Sequence, residues 1–162
     1  MSKPNPIVPS TQAPEFQYKT ADGTEHSTSA LKGKPYLVYF YPRDDTPGCT
    51  KEACAFRDSF AELTKAGITI IGVSADDEAS HEKFRKKYDL PFPLAADTEK
   101  SIVEAFGVWG EKKFMGKIYD GIHRISFLVG PDGVVVKTYL KVKPEQHAAE
   151  ILADAKELVQ PI

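Results

Sequence analysis

Cysteine is scarce in this sequence: Cys49 and Cys54 are the only two among 162 residues. Two thiols five apart form neither the disulfide framework of a small secreted domain nor the paired clusters that hold a structural zinc. The four histidines, His26, His81, His123 and His147, share no ligand spacing, so no metal and no cofactor is expected. An excess of charge of one sign is lacking too. Lysine and arginine number 21 against 23 aspartates and glutamates, a formal net charge of -2, which leaves no electrostatic footprint for a nucleic-acid partner. No apolar run approaches the roughly 20 residues that span a bilayer, and neither a Gly-rich phosphate loop nor a hydrolase elbow is present. The first fourteen residues, rich in Pro, Ser and Thr, carry neither the charged n-region nor the apolar core of an export signal. A cytoplasmic address without membrane association is therefore expected, and there a permanent disulfide is disfavoured. The two cysteines need a chemical explanation.

What is present is the patterning of one domain spanning residues 1–162, with residues 1–14 expected to be a loosely ordered start. No internal repeat or long linker divides the chain. Phe16 to Thr20 and Thr24 to Ser27 flank Ala21-Asp22-Gly23 and read as an N-terminal β-hairpin with glycine in the turn. Tyr36 to Tyr41 is a continuous aromatic and β-branched run, the mark of a central strand buried on both faces. From Pro47 to Lys65 the period becomes helical, with Cys49, Ala53, Phe56, Phe60 and Leu63 forming the core-facing stripe. Ile68 to Ser74 predicts a second buried strand, Glu78 to Tyr88 a second helix, and Lys100 to Phe106 a short third one. The stretch holding Trp109, Phe114, Met115 and Tyr119 reads as a loop. Arg124 to Val129 and Val134 to Leu140 predict two strands joined at Gly130-Pro131-Asp132-Gly133, a strong turn signal. Pro144 opens the last helix, whose apolar face is Ala148, Ile151, Leu152, Ala155 and Leu158. This order predicts an α/β fold, a central mixed sheet with helices on both faces, in the sequence a thioredoxin-like core has. Cys49 then follows the end of a central strand, where open α/β folds place their ligands.

The segment Pro42-Arg43-Asp44-Asp45-Thr46-Pro47-Gly48-Cys49 leaves that strand for the helix. Thr46 is a good N-cap residue and Pro47 suits the first helical position, so Cys49 falls in the first turn. Unpaired backbone N–H groups and the helix dipole favour negative charge there, and the thiolate is the nucleophilic form of cysteine.

Pro42, Thr46 and Cys49 match the Pro-x-x-x-Thr-x-x-Cys pattern of peroxiredoxins. The run Tyr39-Phe40-Tyr41-Pro42 through Thr46-Pro47-Gly48-Cys49-Thr50-Lys51-Glu52-Ala53-Cys54 resembles their bacterioferritin-comigratory, or Q-type, branch. The resemblance extends from about Ala13 to Leu158 and includes Ser74-Ala75-Asp76, Phe92-Pro93-Leu94, Gly107-Val108-Trp109-Gly110-Glu111 and His123-Arg124-Ile125-Ser126-Phe127. It implies a thiol peroxidase in which Cys49 attacks a hydroperoxide and becomes a sulfenic acid. Thr46 would offer its hydroxyl to thiolate and peroxide, Pro42 would shield the pocket, and Arg124 would hold the thiolate and the polarised oxygens. It also implies that Cys54 resolves the sulfenic acid as an intramolecular disulfide, reopened by thioredoxin or a similar thiol reductant. This branch resembles monomers, so a monomer or weak dimer is expected.

On an intact helix, residues five apart have Cα atoms about 8.6 Å apart, beyond the ~7 Å limit for a disulfide without backbone movement. A Cys49–Cys54 bridge thus predicts unwinding of the first helical turns. Two rival readings stay open. One is a thiol–disulfide oxidoreductase, disfavoured by Cys-x-x-x-x-Cys in place of Cys-x-x-Cys; the other is a redox-sensing or holdase-like binding protein.

Overall fold

A computed structural model describes residues 3–20 and 22–158, with side chains through Lys156. Ala21 in the first turn and the side chain of Leu158, both assigned from the sequence, lie outside the described residues. The short hairpin pairs β1 (Gln17–Lys19) with β2 (Glu25–Ser27). A 3-10 turn at Thr28–Leu31 follows. The main sheet is built from β3 (Tyr36–Phe40), β4 (Thr69–Ser74), β5 (Leu94–Ala96), β8 (Ile125–Val129) and β9 (Val135–Tyr139). Their spatial order is β5-β4-β3-β8-β9, so the aromatic run is indeed central. Strand β3 is parallel to β4 and antiparallel to β8, which makes the sheet mixed.

Alternation along β3 feeds two cores. Leu37 and Tyr39 face helices α1 (Pro47–Asp58), α2 (Phe60–Lys65), α3 (Glu78–Tyr88) and α5 (His147–Leu158), which contribute Phe56, Leu63, Phe84 and Ile151. Val38 and Phe40 face the opposite way, where α4 (Ser101–Ala105), Phe106 and the hairpin residues Phe16 and Tyr18 cover the sheet. Two apolar faces of one sheet, each covered, are what buries a strand on both sides.

Several elements differ from their sequence expectation. The helix expected from Pro47 to Lys65 is divided at Ser59, whose φ of -101° and ψ of 6° end α1 and begin α2. Phe60, placed on the stripe by an unbroken period, is in consequence only half-buried. Trp109 to Tyr119 is no loop: β6 (Trp109–Phe114) and β7 (Lys117–Ile122) form a second hairpin. Its two-residue turn, Met115-Gly116, has positive φ at both positions, the type I′ geometry usually announced by Asn-Gly. Methionine in that place hid the signal. Strand β5 is a three-residue edge, too short to leave a period. The last helix begins at His147, because Gln146 and His147 both donate to the Lys143 carbonyl in a preceding turn. Backbone hydrogen bonds tie Asn5, Ile7 and Ser10 to the rest of the fold. The Asn5 and Ile7 amides donate to the Gly107 and Phe106 carbonyls, the Ser10 amide to Val135, and the Thr138 hydroxyl to Ile7.

Candidate active site

The C-terminal end of β3 runs through half-buried Pro42 into the loop that starts α1. Thr46 occupies the N-cap with extended backbone, φ -96° and ψ 158°, and Pro47 takes the first helical position. Cys49 therefore lies in the first turn, 1% exposed, with its backbone beside the unpaired N–H groups there. The Thr46 side chain does not cap the helix. Its hydroxyl donates to the Arg43 carbonyl at 3.0 Å. With that hydrogen engaged, what the oxygen presents is its lone pairs, as an acceptor.

The β3–β8 register sets Phe40 opposite Ile125, and this puts Arg124, the residue before β8, at the same sheet edge as Cys49. The guanidinium reaches across 75 positions of sequence: Nη2 donates to Cys49 Sγ at 3.3 Å and Nη1 to Glu52 Oε1 at 2.7 Å. One planar fork thus ties the thiol to a carboxylate one turn further along α1. Burial opposes the guanidinium charge, but Glu52 and Cys49 outweigh it and raise the Arg124 pKa. Close approach is possible because residue 48 is glycine. A Cβ there would lie 3.0 Å from Nη2. From the β6–β7 hairpin, Lys112 brings a second cation, held by the Ile122 carbonyl at 2.8 Å. Burial first, and then the Arg124 charge, lowers its pKa.

The loop itself is pinned to α3 by consecutive aspartates. Buried Asp44 accepts from the Tyr41 hydroxyl at 2.6 Å and the Ser80 hydroxyl at 2.8 Å, and its Oδ2 lies 2.7 Å from His81 Nδ1. The other ring nitrogen of His81 donates to the Ala95 carbonyl at 3.0 Å. Asp45, at φ +56°, accepts from Lys87 and Tyr88. The Asp44 amide donates to Asp76 at 2.8 Å, so the residues just after β4 hold the loop as well. Asp44, Asp76 and His81 have the residue types of a metal cluster. The hydrogen bonds just given already employ them.

Of the residues singled out in the sequence, the structure brings Cys49 and Arg124 into contact and sets Pro42 and Thr46 in the adjoining loop. Cys54 stands apart on the same unbroken α1, half-buried, and both thiols are free. Sequence reasoning missed Gly48, Glu52, Asp44 and His81. Only Glu52 had left a trace: it sits three residues after Cys49, a charged group on an otherwise apolar stripe.

The chain is similar to known proteins over most of its length. Residues 9–138 match the AhpC/TSA family. A putative peroxiredoxin bcp of Coxiella burnetii is 45% identical over 141 residues, covering 87% of this chain and 93% of that one. Peroxiredoxin Bcp of Escherichia coli K12 is 43% identical over 153 residues, covering 94% and 98%. Among solved structures, Xanthomonas campestris Peroxiredoxin Q superposes with a TM-score of 0.84 at 37% identity, covering 97% of this chain and 99% of the other. A bacterioferritin comigratory protein of the same organism, whose structures address alkyl peroxide reduction, gives 0.82 at 37% identity, covering 96% and 98%.

Proposed function

The chain belongs to the AhpC/TSA family, and from that premise we propose that it is a thiol peroxidase that reduces hydrogen peroxide and organic hydroperoxides at Cys49. The observation that carries the reading is the 3.3 Å contact between Arg124 Nη2 and Cys49 Sγ, a fixed cation against a thiol at a helix start.

In the first step the Cys49 sulfur attacks the terminal peroxide oxygen. An S–O bond forms, the O–O bond breaks, and the leaving oxygen departs as an alcohol or water after taking up a proton. Sulfur is oxidised to a sulfenic acid and the peroxide is reduced. Arg124 holds sulfur through one arm of its fork. As charge moves from sulfur to the leaving oxygen, a donor already in place needs no reorganisation. Thr46, its hydrogen given to Arg43, accepts from the protonated peroxide oxygen and orients it. Pro42 closes the side of the pocket nearest β3.

In the second step Cys54 attacks the sulfenic sulfur. The S–S bond forms, the S–O bond breaks, and hydroxide leaves with the Cys54 proton as water. Both cysteines lie on α1, so the bridge needs its first turns to unwind. A dithiol reductant of the thioredoxin kind then reopens the disulfide. Dependence on such a reductant supports a cytoplasmic location, and the reading requires no second subunit, consistent with a monomer or weak dimer.

Intact mass after one equivalent of hydrogen peroxide tests this. The native protein should lose two hydrogens, Cys54→Ser should gain one oxygen, and Cys49→Ser should not change. A Cys49 that ignores peroxide but is oxidised quickly by disulfides would make the protein a disulfide exchanger instead.

A further inference from the structure

Glu52 lies between the two cysteines and has no solvent exposure. Its Oε1 accepts from Arg124 Nη1 at 2.7 Å, while Oε2 has no hydrogen-bond partner. A carboxylate offers about four lone-pair sites, so this one is poorly satisfied where it stands. Every element packed around it adds to the account. From α1 comes Cys49, one turn earlier and competing for the same guanidinium. From β3 comes the buried Tyr39, whose hydroxyl also lacks a partner and whose pKa is raised by burial first and by the Glu52 charge next. Lys112 of β6 sits near Arg124 but gives its hydrogen bond to Ile122. His147 of α5 is engaged with Ser126 and Glu150 and has its pKa lowered by burial. Arg124 is thus one cation shared by two groups that can carry negative charge.

We propose that Glu52 is a positioning residue for disulfide formation: once charged, it is ill-tolerated in the helical form of α1, and it drives the unwinding that lets Cys54 reach the Cys49 sulfenic acid. This rests on the Cys49–Cys54 reading above. Unwinding hydrates the carboxylate and frees it from burial. The bond changes are those already given, with water as the product and no further oxidant.

Burial raises the Glu52 pKa from 4.5 to about 7, outweighing Arg124. The helical form therefore binds the proton more tightly than the unwound form does, and its advantage falls as pH rises. The drive toward unwinding is absent below about pH 4.5, grows up to about pH 7, and is full above that. The separation of the two values sets a ceiling on the order of 100-fold on the unwinding equilibrium.

The test is Glu52→Gln, which keeps an acceptor for Arg124 but cannot ionise. Reduced protein is mixed with one equivalent of hydrogen peroxide, quenched with a thiol-alkylating reagent at successive times, and weighed. Conversion of sulfenic acid to disulfide is followed from pH 5 to 8. Both proteins carry the same Cys54, so the ratio of their rates isolates Glu52. That ratio should climb roughly 10- to 100-fold in favour of the native protein, levelling near pH 7. Backbone amide protection of residues 50–56 in the Cys54→Ser protein is the second measurement; relative to Glu52→Gln/Cys54→Ser, it should fall over the same pH interval. A flat rate ratio, with disulfide forming in both, would overturn the role of Glu52 and leave the two-cysteine mechanism intact. If no disulfide forms in either protein, that mechanism fails, and equal amide protection with and without Glu52 would overturn the proposal independently.

Discussion

Replacing Gly48 by alanine adds one methyl group where no catalytic group stands, and it should slow the peroxide step without weakening the fold. The new Cβ would lie 3.0 Å from Arg124 Nη2, tighter than ordinary contact, and 3.7 Å from Cζ. The Gly48 φ is not positive, so the helix accepts alanine, and the guanidinium is the part that must give. Moving Nη2 back by about 0.5 Å weakens its 3.3 Å hydrogen bond to Cys49 Sγ. A hydrogen bond to a charged group contributes about 1.5–3 kcal/mol. Losing roughly half of it, about 1–1.5 kcal/mol, predicts a fall of about 5- to 15-fold in kcat/KM for peroxide. Helix propensity moves the other way, since alanine is favoured over glycine by up to about 1 kcal/mol. Stopped-flow kinetics with hydrogen peroxide and a thermal melt together decide the matter. The expected pair is a slower reaction with an unchanged or higher Tm. A Gly48→Ala protein that reacts at the native rate would refute the idea that open space at residue 48 positions Arg124.

Two further outcomes are expected. Asp44→Ala strips an acceptor from Tyr41, Ser80 and His81, and removing one partner of a buried pair costs about 3–5 kcal/mol; denaturant melts should show that loss. Asp44→Asn can still accept from Tyr41 and donate to His81 Nδ1, so it should recover most of the stability, and equal losses in the two variants would refute the loop-anchoring role. Phe106→Ala empties the face of the sheet away from Cys49, where Phe106 sits between Phe40 and Phe127 at ring distances of 5.1 and 5.0 Å. It should lower stability by about 3–5 kcal/mol with kcat/KM for peroxide unchanged, and a matching loss of rate would show that the two cores are coupled.

The elements legible from the sequence were those whose period was strong and whose ends were marked. Strand β3 announced itself by the unbroken apolar run from Tyr36 to Tyr41, aromatic except at Leu37 and Val38, and α3 matched its expected bounds because the Asp77 side chain caps it, accepting from the Ser80 amide. The hairpin β6–β7 was illegible because Lys112 and Lys113 blur its alternation and Met115 replaces the usual turn residue. The break at Ser59 was illegible because the apolar spacing continues across it.

The same division runs through the site. Sequence alone determined that a thiol would stand in the first turn of a helix leaving a central strand, since Thr46, Pro47 and the preceding strand are local signals read along the chain. It also placed a second thiol five residues on, too far for a bridge while the helix holds. Which side chains meet Cys49 was decided by tertiary structure. Arg124 arrives only through the antiparallel register of β8 on β3, and Gly48 matters only because a guanidinium 76 residues later needs its space. Glu52 is a helical residue like its neighbours until packing removes it from water and leaves Arg124 as its hydrogen-bond partner. Local order is written in the spacing of residues. Contact, burial and shared charge arise only when distant segments close on one another.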